Sequence, residues 1–223
     1  MTSGSKTDLD ALLASFVKGE NQGADLRGVS LKGRKLKNLR LWEMKISGAD
    51  LSGCVLYGCG FRDTIFEGAA FNKAFFDQCY GQTSMFRKAD LSGARFRESF
   101  IEDSNFDGAC LDGVDAQGQH LRNCSFIKAT LKKARFKAMG MHDADFTDAD
   151  LSGASFKDVT LYDAKFKGAN LSGVTIDQCK LYGADLSKAK LDGTKFPGAR
   201  YDKKTKWPGE PPKEAKFDKK PEM

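Results

Sequence analysis

The hydrophobic residues of this chain follow a ruler of five. Stepping from Leu26 by five gives Leu31, Leu36, Leu41, Ile46 and so on to Phe196 and Tyr201, and 33 of these 36 positions are Leu, Ile, Met or Phe. The exceptions are Gly81, Ala116 and Tyr201. Two residues before each stands a small or compact side chain in 31 of 36 cases, with Arg34, Leu39, Met44, Gln119 and Met139 breaking the rule. Neither the 3.6 period of a helix nor the 2.0 period of a half-buried strand stays in phase with a strict five over so many steps. A unit with one large and one small inward residue suits a chain that turns a corner every five residues, so that four units close one coil of 20.

Sorting the ruler by 20 supports that inference. One side carries Leu26, Ile46 and then Phe66, Phe86, Phe106, Phe126, Phe146 and Phe166, while the next carries Leu at every coil except Phe71. Like side chains pile on like, as expected when each coil packs only on its neighbours. Nine coils at the strand spacing of about 4.8 Å span roughly 43 Å. The units Ala49-Asp50-Leu51-Ser52-Gly53, Ala89-Asp90-Leu91-Ser92-Gly93, Ala149-Asp150-Leu151-Ser152-Gly153 and Ala169-Asn170-Leu171-Ser172-Gly173 resemble the signature of the pentapeptide-repeat family. The resemblance covers residues 24–203. It implies an all-β solenoid, a right-handed quadrilateral β-helix of about nine 20-residue coils, with a short N-terminal capping helix and an irregular C-terminal tail.

The ends of a solenoid expose its core, so each needs a cover. Residues 1–23 read as an arm and capping helix over Thr7–Lys18, with Thr7 as N-cap and Leu9, Leu12, Leu13 and Phe16 on one face. Residues 204–223 form a C-terminal cap and flexible tail, in which Trp207 plugs the last coil and Phe217 is the one anchor after Pro208. Five of the six cysteines, Cys54, Cys59, Cys79, Cys124 and Cys179, occupy the small inward position and read as reduced core residues. Cys59 and Cys79 lie one coil apart, within reach of a disulfide.

Charge and chemistry narrow the function. Thirty-six basic against 30 acidic side chains give +6, too mixed to announce nucleic acid. No apolar run reaches the roughly 18 residues of a membrane span, and the first residues lack a signal-peptide pattern, so the expected location is the cytoplasm. No nucleophile motif, phosphate loop or zinc-ligand spacing is present, and no catalytic, cofactor or metal site is expected. His120 and His142 read as surface histidines. Asp143, Asp145, Asp148 and Asp150 fall on three sides of the coil rather than around one ion.

The outward position just before each large residue is usually polar, yet between 55 and 85 it reads Val55, Gly60, Ile65, Ala70, Phe75, Tyr80 and Met85, with Phe100 three steps on. The side of Leu41 and Phe61 also carries Trp42, Tyr162 and Tyr182 outward. Exposed apolar surface of this kind marks a contact with a protein partner or a second copy, against the alternative of exterior aromatic ladders that stiffen the coils. The candidate partner-binding residues are therefore Val55, Ile65, Phe75, Tyr80, Met85, Phe100, Trp42, Tyr162 and Tyr182. The expectation is a non-enzymatic scaffold for protein–protein contact. The resemblance offers an alternative, protection of DNA gyrase or topoisomerase IV by mimicry of DNA, which the positive charge and the lack of projecting loops disfavour. Direct nucleic-acid binding along the basic side of Arg34, Lys35, Lys37, Arg95, Arg97, Arg135, Lys137, Lys157 and Lys195 is disfavoured because acidic residues interrupt it and no aromatic stacking platform is interleaved with it.

Overall fold

A computed structural model of the chain describes residues 6–118 and 120–219. After helix α1 (Lys6–Lys18) come twelve short strands: β1 (Lys35–Lys37), β2 (Val55–Tyr57), β3 (Phe75–Asp77), β4 (Tyr80–Gln82), β5 (Arg95–Arg97), β6 (Phe100–Glu102), β7 (Asp115–Gln117), β8 (Arg135–Lys137), β9 (Ser155–Lys157), β10 (Thr175–Asp177), β11 (Arg200–Tyr201) and β12 (Lys216–Phe217). Pairing is parallel with a register of 20, as in Leu36↔Leu56 and Phe136↔Phe156. Isolated bridges with the same offset, such as Asp25↔Lys45, Ser30↔Asp50 and Arg40↔Gly60, complete four ladders along a parallel β-solenoid of about nine turns. The four sides are called here the Phe side (bridges at 25, 45, 65), the Leu side (30, 50, 70), the sheet side (β1 through β10 without β4 and β6) and the aromatic side (40, 60, β4, β6 and onward).

Corners recur with the same period. Every fifth residue from Gly23 to Gly198 has a positive φ, and more than half of these carry a side chain, among them Asn38, Asp63, Lys73 and Ala138. The left-handed corner is thus imposed by stacking, with single αL residues accepted wherever both flanking rungs are bonded. Inside, the Phe side forms a column whose ring centroids lie 4.9 Å (Phe66–Phe86), 4.8 Å (Phe86–Phe106), 5.0 Å (Phe106–Phe126) and 4.9 Å (Phe126–Phe146) apart. That spacing equals the rise between parallel strands, so ring stacking and backbone pairing share one repeat. Polar atoms at the small inward position are satisfied across coils: the thiols of Cys54 and Cys124 and the hydroxyl of Ser84 donate to the carbonyls of Leu31, Ile101 and Phe61. All six cysteines, Cys59 and Cys79 included, are free thiols.

The N-terminal end accounts for the early breaks in the ruler. Helix α1 begins at Lys6, one residue before the expected cap, and the Thr7 side chain lies outside the described residues. Phe16 is fully buried, and its carbonyl accepts the Arg40 N–H at 3.0 Å. Of the three early exceptions at the small position, Leu39 and Met44 are buried in the same core cluster as Leu13 and Phe16 of α1, and Arg34 forms an ion pair with Asp10 of α1. Gln119 lies outside the described residues. At the other end the ladder offset becomes 21 at Asp185↔Lys206, because a turn at Asp202–Thr205 inserts one residue. Asp202 holds that turn by accepting the N–H groups of Gly183, Lys204 and Thr205 at 2.9, 3.1 and 3.1 Å.

The segment after Pro208, expected as an irregular tail, instead returns to the solenoid. β12 pairs with β11 in parallel, the Lys216 N–H donates to Ala199 and the Asp218 N–H to Tyr201, both at 2.8 Å. Phe217 meets Tyr201 at 5.5 Å, and the Glu214 carboxylate accepts the Phe196 N–H. Trp207 packs edge-on against Phe196 and Tyr201 at 5.3 and 5.4 Å, covering the last coil. The Lys- and Pro-rich composition hid this because one added rung needs only a few alternating residues, too short for any periodicity to register.

Candidate functional site: the aromatic side

The solenoid divides the candidate residues among three sides. Val55 and Phe75 belong to the sheet side, Ile65 and Met85 to the Phe side, and Tyr80 and Phe100, with Trp42, Tyr162 and Tyr182, to the aromatic side. Their exposure divides them further. Tyr80 is 59% exposed, Met85 48% and Phe100 47%, whereas Val55, Ile65, Phe75, Trp42 and Tyr162 are half-buried and Tyr182 is buried. Phe75 is covered by the guanidinium groups of Arg95 and Arg97, at 4.9 and 5.7 Å from its ring. It stiffens the sheet side through cation–π contacts rather than presenting a free face.

The aromatic side therefore carries the site, and glycines shape it. Gly60, Gly81 and Gly140 are absent from the positive-φ corners, and all three lie on this side. A Cβ at Gly60 would lie 2.9 Å from Trp42 Nε1, and one at Gly140 3.1 Å from His120 Nδ1. Glycine stands there so that a neighbouring ring can lie across the rung. At Gly81 the gap is filled from within by Phe61, 3.1 Å from a Cβ, so Tyr80 does not fold back over it and remains outward.

The rings continue along the rungs. Trp42 is flanked by Arg40 and Arg62 at 5.7 and 5.3 Å. Tyr80 pairs in register with Phe100, Phe100 stacks on His120 at 5.2 Å, His142 meets Tyr162 edge-on at 4.7 Å, and Tyr162 stacks on Tyr182 at 5.3 Å. The Tyr182 hydroxyl donates to Asp218 of the returning segment at 3.0 Å. The C-terminal half of the ladder is thus anchored, while Tyr80 and Phe100 border an open groove lined by Trp42, Arg62, Gln82 and Glu102. A second groove of about 500 Å³ lies beside Tyr162, Tyr182 and Phe217. Sequence reasoning missed Arg62 and Glu102, whose periodic position gives no sign of proximity to Trp42 and Tyr80. It also missed Tyr57, 40% exposed on the sheet side.

Burial sets the titration of two thiols and of His142. The Cys124 and Cys179 thiols are pushed up to about 12 by loss of solvent, which leaves them protonated and unreactive at neutral pH. His142 is held below its ordinary value by burial and by Arg122, and its Nε2 lies 3.0 Å from the Thr160 hydroxyl. Asp143, Asp145, Asp148 and Asp150 lie on different sides, and among the described residues no group of three or more His, Cys, Asp or Glu could hold a metal ion. No described helix is long and apolar enough to cross a membrane.

Comparison with known proteins agrees with the architecture. The family described as "Pentapeptide repeats (8 copies)" matches residues 24–63, 45–80 and 64–103, and "Pentapeptide repeat region" matches 119–196. Full-length QnrB1, a plasmid-mediated fluoroquinolone resistance protein, is 17% identical with a TM-score of 0.61, over 87% of this chain and 92% of its own. HetL, a pentapeptide repeat protein involved in heterocyst differentiation regulation in the cyanobacterium Nostoc sp. Strain PCC 7120, is 22% identical over 84% of this chain and 94% of its own, at a TM-score of 0.44. None of the curated proteins matches. With the five-residue ruler, the 20-residue register and these matches in agreement, the chain belongs to the pentapeptide-repeat family.

Proposed function

We propose that the protein is a non-enzymatic scaffold, working in the cytoplasm, that holds a protein partner on its aromatic side. One observation carries this reading: Tyr80 and Phe100 stand exposed on adjacent, fully paired rungs, where the same column elsewhere holds polar residues or glycine. Large rings fixed by a rigid backbone lose little entropy on binding, which is what contact hot spots require. The Cys124 and Cys179 thiols and the His142–Thr160 pair contribute to packing and offer no activated nucleophile.

The double variant Tyr80→Asp/Phe100→Asp tests this directly. Both side chains point outward, so the far-ultraviolet spectrum and melting temperature are expected to stay near wild type while retention of the partner is lost. Unchanged retention would remove these rings from the contact; a collapsed spectrum would make them structural. Gyrase protection is the second reading, favoured by the fold shared with QnrB1. The outward Lys and Arg of the sheet side oppose mimicry of a polyanion.

A further inference from the structure

Net charge conceals a strong pattern once the chain is cut at each coil. Residues 102–121 contain Glu102, Asp103, Asp107, Asp112 and Asp115 and no Lys or Arg. Residues 122–141 contain Arg122, Lys128, Lys132, Lys133, Arg135 and Lys137 and no Asp or Glu. Residues 142–161 return to five aspartates against Lys157. In a solenoid a block of 20 residues becomes a belt around the axis, so a purely acidic belt and a purely basic belt lie on successive rungs near mid-length. Within one chain they touch, as in Arg122–Glu102 at 4.0 Å, Lys132–Asp150 at 3.5 Å and the Lys132 N–H on Asp112 at 2.9 Å.

The same pattern is self-complementary between two copies. Parallel copies in register would set acid on acid and base on base; parallel copies offset by one coil would match but could not close, and would grow into a filament. Antiparallel copies related by a two-fold axis between the two belts match both belts at once and close. The belts alone do not choose a side, but the exposed rings do. On the aromatic side the acidic belt appears as Glu102 and Asp103, and the basic belt as Arg122, one rung apart. Phe100 and His120 occupy the two rungs next to such an axis. The rung of Tyr80 would then face the rung of Gly140, across which the His120 and His142 rings lie, so that rings of the two copies meet.

We propose that the aromatic side pairs with a second copy of this chain, antiparallel about a two-fold axis between the Phe100 and His120 rungs, with Glu102 of each copy against the partner's Arg122. This rests on the docking reading above and names its partner.

Sedimentation velocity of the full chain at micromolar concentration tests it, using wild type, Glu102→Lys and Arg122→Glu. Wild type is expected to be a dimer. Each variant alone places like charges opposite each other twice and is expected to bind itself about a hundredfold more weakly or worse, with melting little changed since Arg122 is exposed and Glu102 only half-buried. An equimolar mixture of the two variants restores both attractive pairs and is expected to regain the dimer. A monomeric wild type, variants that stay dimeric, or a mixture that stays monomeric would each overturn the pairing. The docking reading fails separately, if Tyr80→Asp/Phe100→Asp leaves all binding intact. A monomeric wild type that retains another protein only through these rings overturns self-pairing and leaves docking standing.

Discussion

At Phe126 the ring lies between Phe106 and Phe146, 5.0 and 4.9 Å away, with no exposure to solvent. Truncation to alanine leaves a gap that two fixed backbones cannot close, so Phe126→Ala is expected to cost about 3–5 kcal/mol in chemical denaturation. Neutrality would mean the ring is not part of a packed column. Ala116 is the opposite case. It interrupts the sheet-side stack between Phe96 and Phe136 and borders an apolar gap that also touches Phe106, Leu121 and Phe126. Ala116→Leu is expected to gain about 1 kcal/mol and raise the melting temperature by about 2–4 °C; a drop would show that the rungs have already closed on the smaller residue. His142 carries a pH dependence. Its folded value lies below the ordinary 6.5, because burial and then Arg122 disfavour the cation. Below pH 6.5 the unfolded chain binds this proton more readily than the folded one, so stability is complete above that pH and declines as pH falls. Melting curves from neutral pH to about pH 5 should show this decline, flattened in His142→Gln, and a wild type with no decline would contradict it.

Among the elements, the repeating coils, helix α1 and the Trp207 cover were legible in the sequence, and the returning strand β12 was not. The five-residue ruler located the inward columns from Leu26 to Tyr201 because a slip of one residue would turn every core side chain toward solvent. The outward columns carry no such penalty. Their residue types told which rings face out, but not that Phe75 lies under Arg95 and Arg97 or that Gly60 makes room for Trp42. Those contacts join residues about 20 positions apart through rotamers that the pattern leaves open. β12 was missed for a related reason, since it is a single rung with a 16-residue offset, Arg200↔Lys216, rather than 20. Its contribution can be measured at this scale. Ending the chain after Pro208 removes the β11–β12 pairing, the Glu214 contact with the Phe196 N–H and the Asp218 partner of Tyr182. In a nearest-neighbour solenoid the loss should be local, so hydrogen exchange is expected to quicken in the last coil while the amides near Phe126 keep their protection. Uniform quickening would mean that the returning segment holds the whole solenoid together.

Seen as a whole molecule, the protein carries a charge pattern that argues about partners more firmly than its net charge does. Belts of opposite sign one rung apart, about 4.8 Å, cancel within a few ångströms of the surface, well inside the physiological Debye length of about 8 Å. Such a surface steers nothing over long range and must be met closely and in register to be read at all. A DNA-binding enzyme approaching it would find neither the continuous negative potential of phosphates nor a smooth anionic side, because the sheet side presents Lys35, Lys37, Arg95, Arg135 and Lys137 outward. A shared solenoid with QnrB1 supplies dimensions and not charge. In a gyrase supercoiling assay inhibited by a fluoroquinolone, stoichiometric or excess protein is therefore expected to leave the inhibition unchanged. Restored supercoiling would show that shape alone suffices for that function, and that the short-period charge pattern is no barrier to it.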